Sequence, residues 1–440
     1  MKRPLLTSAA LLLALAPAFG APQGGAELPS PLDLKGAIGY ALDHNFSILQ
    51  ARETIRLQDG VVVQVRGQEI PNLGAQGQYQ RNEASVSQSY PPANSLWTVE
   101  LKATQNLFAG GGIQSAIKGA RLSRDAAAYD LQTAIDAALL DVRTKFYNVI
   151  LAREKIRVEE ENVTLFQHQL DDVKNQFDTG TVSNFEVLRA KVSLANAQPN
   201  LITARNSYRI ATEQLRQSLG TPVSAAFPEV VGTLDVASAS FDADSALSSA
   251  HEHRPELQKL AKLQLAGEES VKTARAGFYP SVQAFGAYEW DGIGYVNSLP
   301  GAPTTANGWL FGLQSTWSIF DGRATDGKVR QAKSQLEQAR LAEATEELEI
   351  DVEVRQALSA LQEAGELLTA SKQTIEQAEE ALRLANAKFH AGSATQLDVL
   401  TSQVSLTQSR TDQLTANYNY LVAVANVRKA IGLGDALVIP

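Results

Sequence analysis

The chain has 440 residues, no cysteine and a formal net charge of −9, from 39 basic and 48 acidic side chains. The lack of cysteine excludes a disulfide framework, a cysteine-ligated metal site and lipid attachment to an N-terminal cysteine. An acidic chain without basic clusters is a poor ligand for nucleic acid, because that affinity depends on neutralising phosphates.

The N-terminus has the pattern of a secretory signal peptide. Lys2 and Arg3 are charged, residues 5–16 form a short apolar run, and small residues precede position 21. We predict a signal peptide over residues 1–20 and an extended lead-in over residues 21–32. No later apolar run is long enough for a transmembrane helix, so any insertion into a membrane would have to use β-strands.

A duplication organises the rest of the chain. The segment Phe177-Asp-Thr-Gly180 recurs 212 positions later as Phe389-His-Ala-Gly392. The same offset links Trp97 with Trp309, Tyr208 with Tyr420, Arg216 with Arg428, and Gly220 with Gly432. A constant offset across glycines, aromatics and helix ends indicates a duplicated structural unit. We predict a first repeat over residues 33–232, a linker over 233–249, a second repeat over 250–432 and a C-terminal tail over 433–440.

The first repeat is predicted to begin with a helix. Asp33 is a suitable N-cap for a helix that runs to about Val65. After Pro71 the apolar period changes from 3.6 to 2, which predicts strands with one apolar and one polar face. The predicted strands cover about 73–80 and 96–108 in the first repeat, and about 281–290 and 308–320 in the second.

All four tryptophans fall in or beside these strands: Trp97, Trp290, Trp309 and Trp317. This distribution is typical of aromatic belts at a membrane interface, so we predict that these side chains contact outer-membrane lipid. The alternative is the edge of a soluble β-sandwich with tryptophans in its core.

Very long helices follow the strands. Residues 120–179 contain neither Gly nor Pro, which predicts a helix of roughly 80 Å. Gly180 then reverses the chain into a helix over about 183–219, and the second repeat has the same pair over about 328–388 and 395–431. Their apolar stripes are narrow and Ala-rich, which favours close packing of a coiled-coil kind. The remaining surface is polar, as in helices that line water.

The predicted strands are too few to close a membrane barrel within one chain. The smallest membrane barrels have about eight strands, and each chain here supplies four. Open strand edges would expose unpaired backbone groups to lipid at several kcal/mol each. Three chains would give twelve strands, and their helix pairs would then stack into a hollow cylinder.

With these features the chain resembles TolC-like outer-membrane efflux proteins, from about residue 31 to residue 432. The strand pairs, the Phe-x-x-Gly reversals and the closing segments 206–220 and 419–432 carry the resemblance. It implies a mainly α fold with a small β part: a homotrimeric 12-stranded transmembrane β-barrel, continuous with a long periplasmic α-helical barrel. It also implies an outer-membrane exit duct that conducts small molecules passively, with a periplasmic adaptor protein and an inner-membrane pump as partners.

The two reversals are predicted to be contact sites. Phe177 and Gly180 mark the first, and Phe389 and Gly392 mark the second. Glycine permits the positive φ that a tight helix reversal needs. In the family these tips are the surface that the adaptor engages.

An acid follows each reversal at the same repeat position, Glu186 and Asp398. The resemblance implies that acids at the position of Asp398 ring the periplasmic entrance, select against anions and raise each other's pKa by repulsion. The alternative is that Ser183-x-x-Glu186 and Thr395-x-x-Asp398 are capping boxes, with each carboxylate meeting a helix dipole.

Other sequence features give no indication of a latch at the tip, of metal binding or of catalysis. Ala394 and Thr401 stand where the family's basic latch residue and second acid are found, so neither is predicted here. His251-Glu-His253 has no third ligand nearby and is interpreted as a helix-entry surface. Without a nucleophile elbow or a phosphate loop, we predict no enzymatic activity, no cofactor and no metal. Two functional alternatives remain: an exit duct for type I protein secretion, or a soluble periplasmic coiled-coil adaptor or scaffold.

Overall fold

A computed structural model describes residues 28–86, 93–295 and 305–434. The predicted signal peptide, most of the lead-in and the tail beyond residue 434 lie outside this part. The helices within it are α1 Leu34–His44, α2 Phe46–Arg66, α3 Gly112–Asp178, α4 Asn184–Leu219, α5 Ala243–His253, α6 Pro255–Arg275, α7 Ala324–His390 and α8 Gln396–Ala430. The strands are β1 Asn72–Arg81, β2 Ala93–Ala109, β3 Ser281–Tyr295 and β4 Thr305–Thr316.

The single helix predicted from Asp33 to about Val65 is wrong, because Asn45 divides it into α1 and α2. Asp33 does cap α1 through its side chain. Asn45 has an extended ψ of 126°, and its Oδ1 accepts from the backbone N–H groups of Ser47 and Ile48. Asn45 therefore ends one helix and caps the next.

Asn45 also joins α2 to the end of α4. Its Nδ2 donates to the carbonyl oxygen of Ser218 at 2.7 Å, so the C-terminus of α4 meets the N-terminus of α2. Gly220 closes α4 with a φ of +73°, and a Cβ at this position would collide with the carbonyl oxygen of His44. The two shorter helices thus run end to end beside α3.

The second repeat forms the same junction between α8 and α6. Gly432 also has a φ of +73° and leaves no room for a Cβ beside His253. Arg254 takes the place of Asn45 and donates from Nη1 to the carbonyl oxygen of Ala430 at 3.3 Å. The two larger buried cores lie at these two junctions, one around Phe146 and Leu215 and the other around Ile350 and Val427.

The long helices α3 and α7 each contain 67 residues. At 1.5 Å per residue each spans about 100 Å, longer than predicted for α3 because that helix begins at Gly112. α3 pairs with α4, α7 pairs with α8, and α6 packs between α3 and α7, which links the two repeats. In the described segments, no helix combines the length and the low polarity needed to cross a membrane.

The four strands form one antiparallel sheet in the order β1-β2-β3-β4. The strand predicted over 308–320 instead runs from Thr305 to Thr316. Ser281, the first residue of β3, pairs with Thr316, so the residues after Thr316 have no neighbouring strand within one chain. β2 continues further because β3 pairs with it as far as Ala109.

The sheet has one apolar and one polar face, as the alternation predicts. Trp309, Phe311 and Leu313 lie on one face of β4 and are each about 70% exposed. Tyr288 of β3 is opposite Trp309 and their rings meet edge to face at 4.8 Å. The opposite face carries polar pairs, such as Thr98 donating to Asp291 at 2.7 Å. The described residues outside the sheet leave its apolar face uncovered.

Candidate functional site

The two helix reversals have the same backbone hydrogen bonds. Gly180 has a φ of +78°, its N–H donates to the carbonyl oxygen of Phe177, and the N–H of Thr181 donates to that of Gln176. Gly392, with a φ of +71°, repeats this pattern after Phe389. Such paired bonds define a Schellman end, in which glycine is favoured because φ is positive. The predicted role of both glycines in turning the chain is therefore confirmed.

The reversals lie side by side at the end of the molecule opposite the sheet. Gln176 of α3, Phe389 and His390 of α7, and Val399 of α8 line one open cavity of about 390 Å³. Phe177 is 42% exposed, whereas Phe389 is partly buried in this cavity. The two predicted contact residues are thus unequal: one offers an exposed ring, and the other helps to hold α7 against α3.

Asp398 forms a complete capping box with Thr395. Its Oδ2 accepts from the backbone N–H and the hydroxyl of Thr395, both at 2.7 Å, and its own N–H donates to Thr395 Oγ1 at 3.3 Å. The backbone hydrogen bond from Thr395, followed by the side-chain one, lowers the pKa of Asp398 within the single chain. The carboxylate is therefore ionised at neutral pH and fixes the first turn of α8.

The matching prediction for Ser183 and Glu186 is wrong. Ser183 makes no side-chain cap hydrogen bond, although it precedes α4 with an extended backbone. Glu186 instead lies 3.2 Å from Nη1 of Arg189, whose guanidinium stacks over the ring of Phe185 at 5.0 Å. An ion pair one turn away draws the Glu186 side chain along the helix and away from the cap.

This difference between the repeats gives a matched test. Thr395→Ala should make amide exchange in the first turn of α8 about five-fold faster, because it removes a working cap. Ser183→Ala should leave exchange in the first turn of α4 unchanged. Hydrogen–deuterium exchange by mass spectrometry measures both, and equal effects of the two substitutions would contradict the assigned caps.

A polar seam between α3 and α8 went unrecognised in the sequence. Gln396 and Gln403 are 5% and 2% exposed. Both amide atoms of Gln396 and Nε2 of Gln403 lack hydrogen-bond partners within the described residues. Further along α8, Arg410 bridges Glu161 of α3 at 2.9 Å and Glu379 of α7 at 3.4 Å. Gln396, Gln403 and Arg410 recur every seven residues, which places them on one face of α8. This spacing is the sequence signal that could have identified the seam.

The tryptophans lie at two levels of the sheet. Three tryptophans cluster far from the helices: Trp97, Trp290 and Trp309. Trp97 pairs with Gly292 on the neighbouring strand. The ring centroids of Trp290 and Tyr288 are 4.4 Å apart. Trp317 lies at the helix end of the sheet, and its Nε1 donates to the carbonyl oxygen of Phe278 at 3.2 Å. Through the strand pairing, Trp97 and Trp290 lie level with Thr305 and Asn307 of β4, so the three tryptophans are eight to twelve residues from Trp317, or roughly 26–40 Å of extended strand.

A family model described as "Outer membrane efflux protein" matches residues 37–221 and 246–433, which cover most of the chain and both repeats. The chain belongs to the outer membrane efflux protein family. This confirms the resemblance found in the sequence. It also places the chain among outer-membrane efflux proteins, which are channel proteins and not enzymes.

Individual relatives agree with the family. The chain is 23% identical over 413 residues to Nodulation protein T of Rhizobium leguminosarum bv. trifolii, covering 91% of this chain and 85% of that protein. It is 25% identical over 386 residues to Outer membrane protein TolC of Escherichia coli K12, covering 82% and 74%. The solved structure of CusC has a TM-score of 0.77 at 19% identity, covering 91% of this chain and 92% of CusC. The efflux-channel fold is therefore shared at low sequence identity.

In this efflux-family chain, His251 and His253 make contacts that support their interpretation as a helix-entry surface. Nε2 of His251 lies 2.8 Å from Oδ1 of Asp351 on α7. Nδ1 of His253 lies 3.1 Å from the carbonyl oxygen of Ser249 in its own helix. His251 therefore joins α5 to α7, whereas the contact of His253 lies within α5.

Proposed function

We propose that this chain is the outer-membrane exit duct of a tripartite efflux system, conducting small molecules passively from the periplasm to the exterior. It acts as a homotrimer whose twelve strands close a barrel and whose helices continue it as a periplasmic tube. The observation that supports this most is the open sheet: among the described residues its apolar face is uncovered, and β1 and β4 are edge strands with unpaired backbone groups. Both features require a lipid surface and neighbouring copies.

The internal repeat supplies a register for the contact between copies. β2 corresponds to β4 at an offset of 212 residues, as Trp97 corresponds to Trp309. β1 corresponds to β3 at an offset of 209 residues, as Tyr79 corresponds to Tyr288. Within one chain β2 pairs with β3, and Lys102 is opposite Ala287. Applying the same pairing to β4 and the next copy's β1 places Gln314 opposite Gln78. The residues after Thr316, which have no strand beside them in one chain, would then face the start of β1.

The sheet's aromatic residues fit a membrane of ordinary thickness. Outer-membrane barrels carry an apolar band about 25 Å tall between two aromatic girdles. The level of Trp97, Trp290 and Trp309 and the level of Trp317 are spaced to lie at its two borders once the strands tilt. Phe311 and Leu313, which lie between these levels, are largely exposed in one chain and would face lipid.

The acidic entrance is proposed to depend on Asp398 and not on Glu186. Asp398 is exposed, has its pKa lowered in the single chain and forms no ion pair among the described residues. Glu186 is already paired with Arg189. Three copies would bring three Asp398 carboxylates toward one opening, which favours cations there over anions.

The adaptor protein is proposed to bind at the two reversals. Both Gly180 and Gly392 have positive φ with open space where a Cβ would be, so their role is conformational.

Replacing either by valine should change the tip and abolish recovery of the adaptor and inner-membrane pump, while outer-membrane insertion stays normal. Co-purification from cross-linked cells measures assembly. Gly67→Val is the control, because Gly67 has a helical φ and open space around it; an intact complex in either tip variant would contradict the proposal.

The function itself is tested by fractionation, light scattering and bilayer conductance of the detergent-extracted protein. We expect an outer-membrane particle of three chains that opens a water-filled pore. A monomer that remains soluble in the periplasm would overturn the proposal in favour of a coiled-coil scaffold. An outer-membrane trimer that never conducts would leave the assembly but overturn the duct.

A further inference from the structure

The two helices that lead into the sheet end in equivalent arginines. Arg66 is the last residue of α2 and Arg275 is the last residue of α6. They are 209 residues apart, which is the offset that relates β1 to β3. A short 3₁₀ turn separates each arginine from its strand, Gly67–Glu69 after α2 and Ala276–Phe278 after α6. The repeat thus places one basic side chain at the same point before each strand pair.

Each 3₁₀ turn is tied to the apolar face of the sheet by a side-chain hydrogen bond. Nε2 of Gln105 donates to the carbonyl oxygen of Glu69 at 2.8 Å. Nε1 of Trp317 donates to the carbonyl oxygen of Phe278 at 3.2 Å. These bonds are equivalent, because the donors are 212 residues apart and the acceptors 209. Both donors continue the alternation of the apolar face along their strands, so both turns lie at the foot of that face.

Both arginine side chains are exposed, and neither forms a hydrogen bond or an ion pair in residues 28–86, 93–295 and 305–434. Lys118 of α3, by contrast, lies 2.7 Å from Oε1 of Glu269. Each arginine also meets the negative end of its helix dipole, but this interaction occupies none of the N–H groups of the guanidinium. Two cationic groups whose donors have no described partner therefore stand at the foot of the sheet.

The arginines lie just beyond the level of Trp317, which is one border of the proposed apolar band. Arg275 precedes Phe278, whose carbonyl Trp317 binds, by three residues. Three helical residues rise about 4.5–6 Å, and the headgroup layer on each side of a bilayer is about 5–8 Å thick. Ile70 and Tyr279 also correspond at the offset of 209 and are 61% and 59% exposed. Each arginine therefore has an exposed apolar side chain between it and the sheet.

We propose that Arg66 and Arg275 each bind the phosphate of an anionic phospholipid, with Ile70 and Tyr279 against the start of its acyl chains. The proposed function is assumed here, because these sites need the sheet to lie in a membrane. A guanidinium suits this ligand, since its planar fork of N–H donors matches a phosphate. Two sites in each of three chains would give six lipids around the barrel and fix its depth in the membrane.

Native mass spectrometry of the detergent-extracted protein tests these sites, with phosphatidylglycerol as the added lipid. The unaltered trimer should retain as many as six phosphatidylglycerol molecules. Arg66→Gln together with Arg275→Gln should lower the association constant of each site about five-fold, the effect of one basic side chain at an anionic membrane surface. Arg355→Gln with Lys372→Gln is the charge-matched control, since both residues are exposed on α7 away from the sheet, and it should leave lipid binding unchanged.

The outcomes separate these lipid sites from the duct itself. Both double variants should still form outer-membrane trimers that conduct. If they do and bind phosphatidylglycerol equally, the lipid sites are overturned and the duct stands. Displacement of the bound lipid by millimolar inorganic phosphate would also overturn the proposal, because the sites would then take a free anion. An unaltered protein that is a soluble periplasmic monomer would overturn both the lipid sites and the duct.

Discussion

Gly220→Ala should destabilise the protein by about 3 kcal/mol or more, among the largest effects that one added methyl group can have. Gly220 has a φ of +73°, which alanine adopts at a cost of about 1–2 kcal/mol. The added Cβ would also strike the carbonyl oxygen of His44, a backbone atom that cannot rotate away. The expected result is a large fall in the thermal unfolding midpoint, followed by circular dichroism in detergent.

Gly67→Ala is the matched control for this substitution. Gly67 has a φ of −54° at the end of α2, and nothing lies within 4 Å of a Cβ there. This substitution should be neutral or slightly stabilising, because it only reduces the freedom of the unfolded chain. Similar midpoints for Gly220→Ala and the unaltered protein would contradict the close meeting of α4 and α2.

Arg254→Met should cost about 3 kcal/mol, because at the α6–α8 junction it leaves Glu256 without an ion-pair partner among the described residues and Glu353 with Lys429 alone. The side chain of Arg254 is 4% exposed and lies 3.0 Å from Glu256 and 2.8 Å from Glu353. Thermal unfolding measures the loss. Adding Glu256→Met should restore part of the stability, since Arg254 is the one ion-pair partner of Glu256 among the described residues, whereas Glu353 keeps Lys429 at 2.9 Å.

The effect of Arg254→Met should also depend on pH. Burial raises the pKa of Glu353, but hydrogen bonds from Arg254 and Lys429 outweigh it and hold the pKa below its usual 4.5. A lowered pKa contributes stability that is present above pH 4.5 and is lost as the pH falls through the folded-state value. The difference between Arg254→Met and the unaltered protein should therefore shrink below about pH 4.

An exposed arginine provides the control for the ion-pair prediction. Arg340 lies 3.5 Å from Glu337 and 4.0 Å from Glu268, and about half of its side chain is exposed. Arg340→Met should change stability by less than about 0.5 kcal/mol. A comparable loss for Arg340→Met and Arg254→Met would show that burial at the junction is not the cause.

The parts of the fold that depend on local sequence could be predicted. The glycine reversals, the long helices and the strand faces each follow from the spacing of a few neighbouring residues. Asn45 shows the limit: the helix looks continuous there, and part of what fixes the break is a hydrogen bond from Asn45 to Ser218. The end of β4 likewise depends on where Ser281 begins its partner strand.

In the candidate site, too, features set by neighbouring residues could be predicted, and features set by competing contacts could not. Thr395 and Asp398 form a capping box that the sequence predicted, because all its atoms lie within one helical turn. Ser183 and Glu186 have the same spacing but not the same structure, because the rotamer of Glu186 is set by Arg189. Spacing identifies which bonds are possible, and competing partners decide which of them form.

Inter-copy cross-linking tests the central claim, that three copies close a barrel through β1 and β4. The repeat-derived register places Gln78 opposite Gln314 of the next copy, so Gln78→Cys with Gln314→Cys should form disulfides between chains. We expect bands of two and three linked chains and none larger. Gln78→Cys with Gly308→Cys, about 20 Å off register along the same strand, should give no such bands. Absence of interchain bands from the first pair, or a ladder that continues past three, would contradict the account.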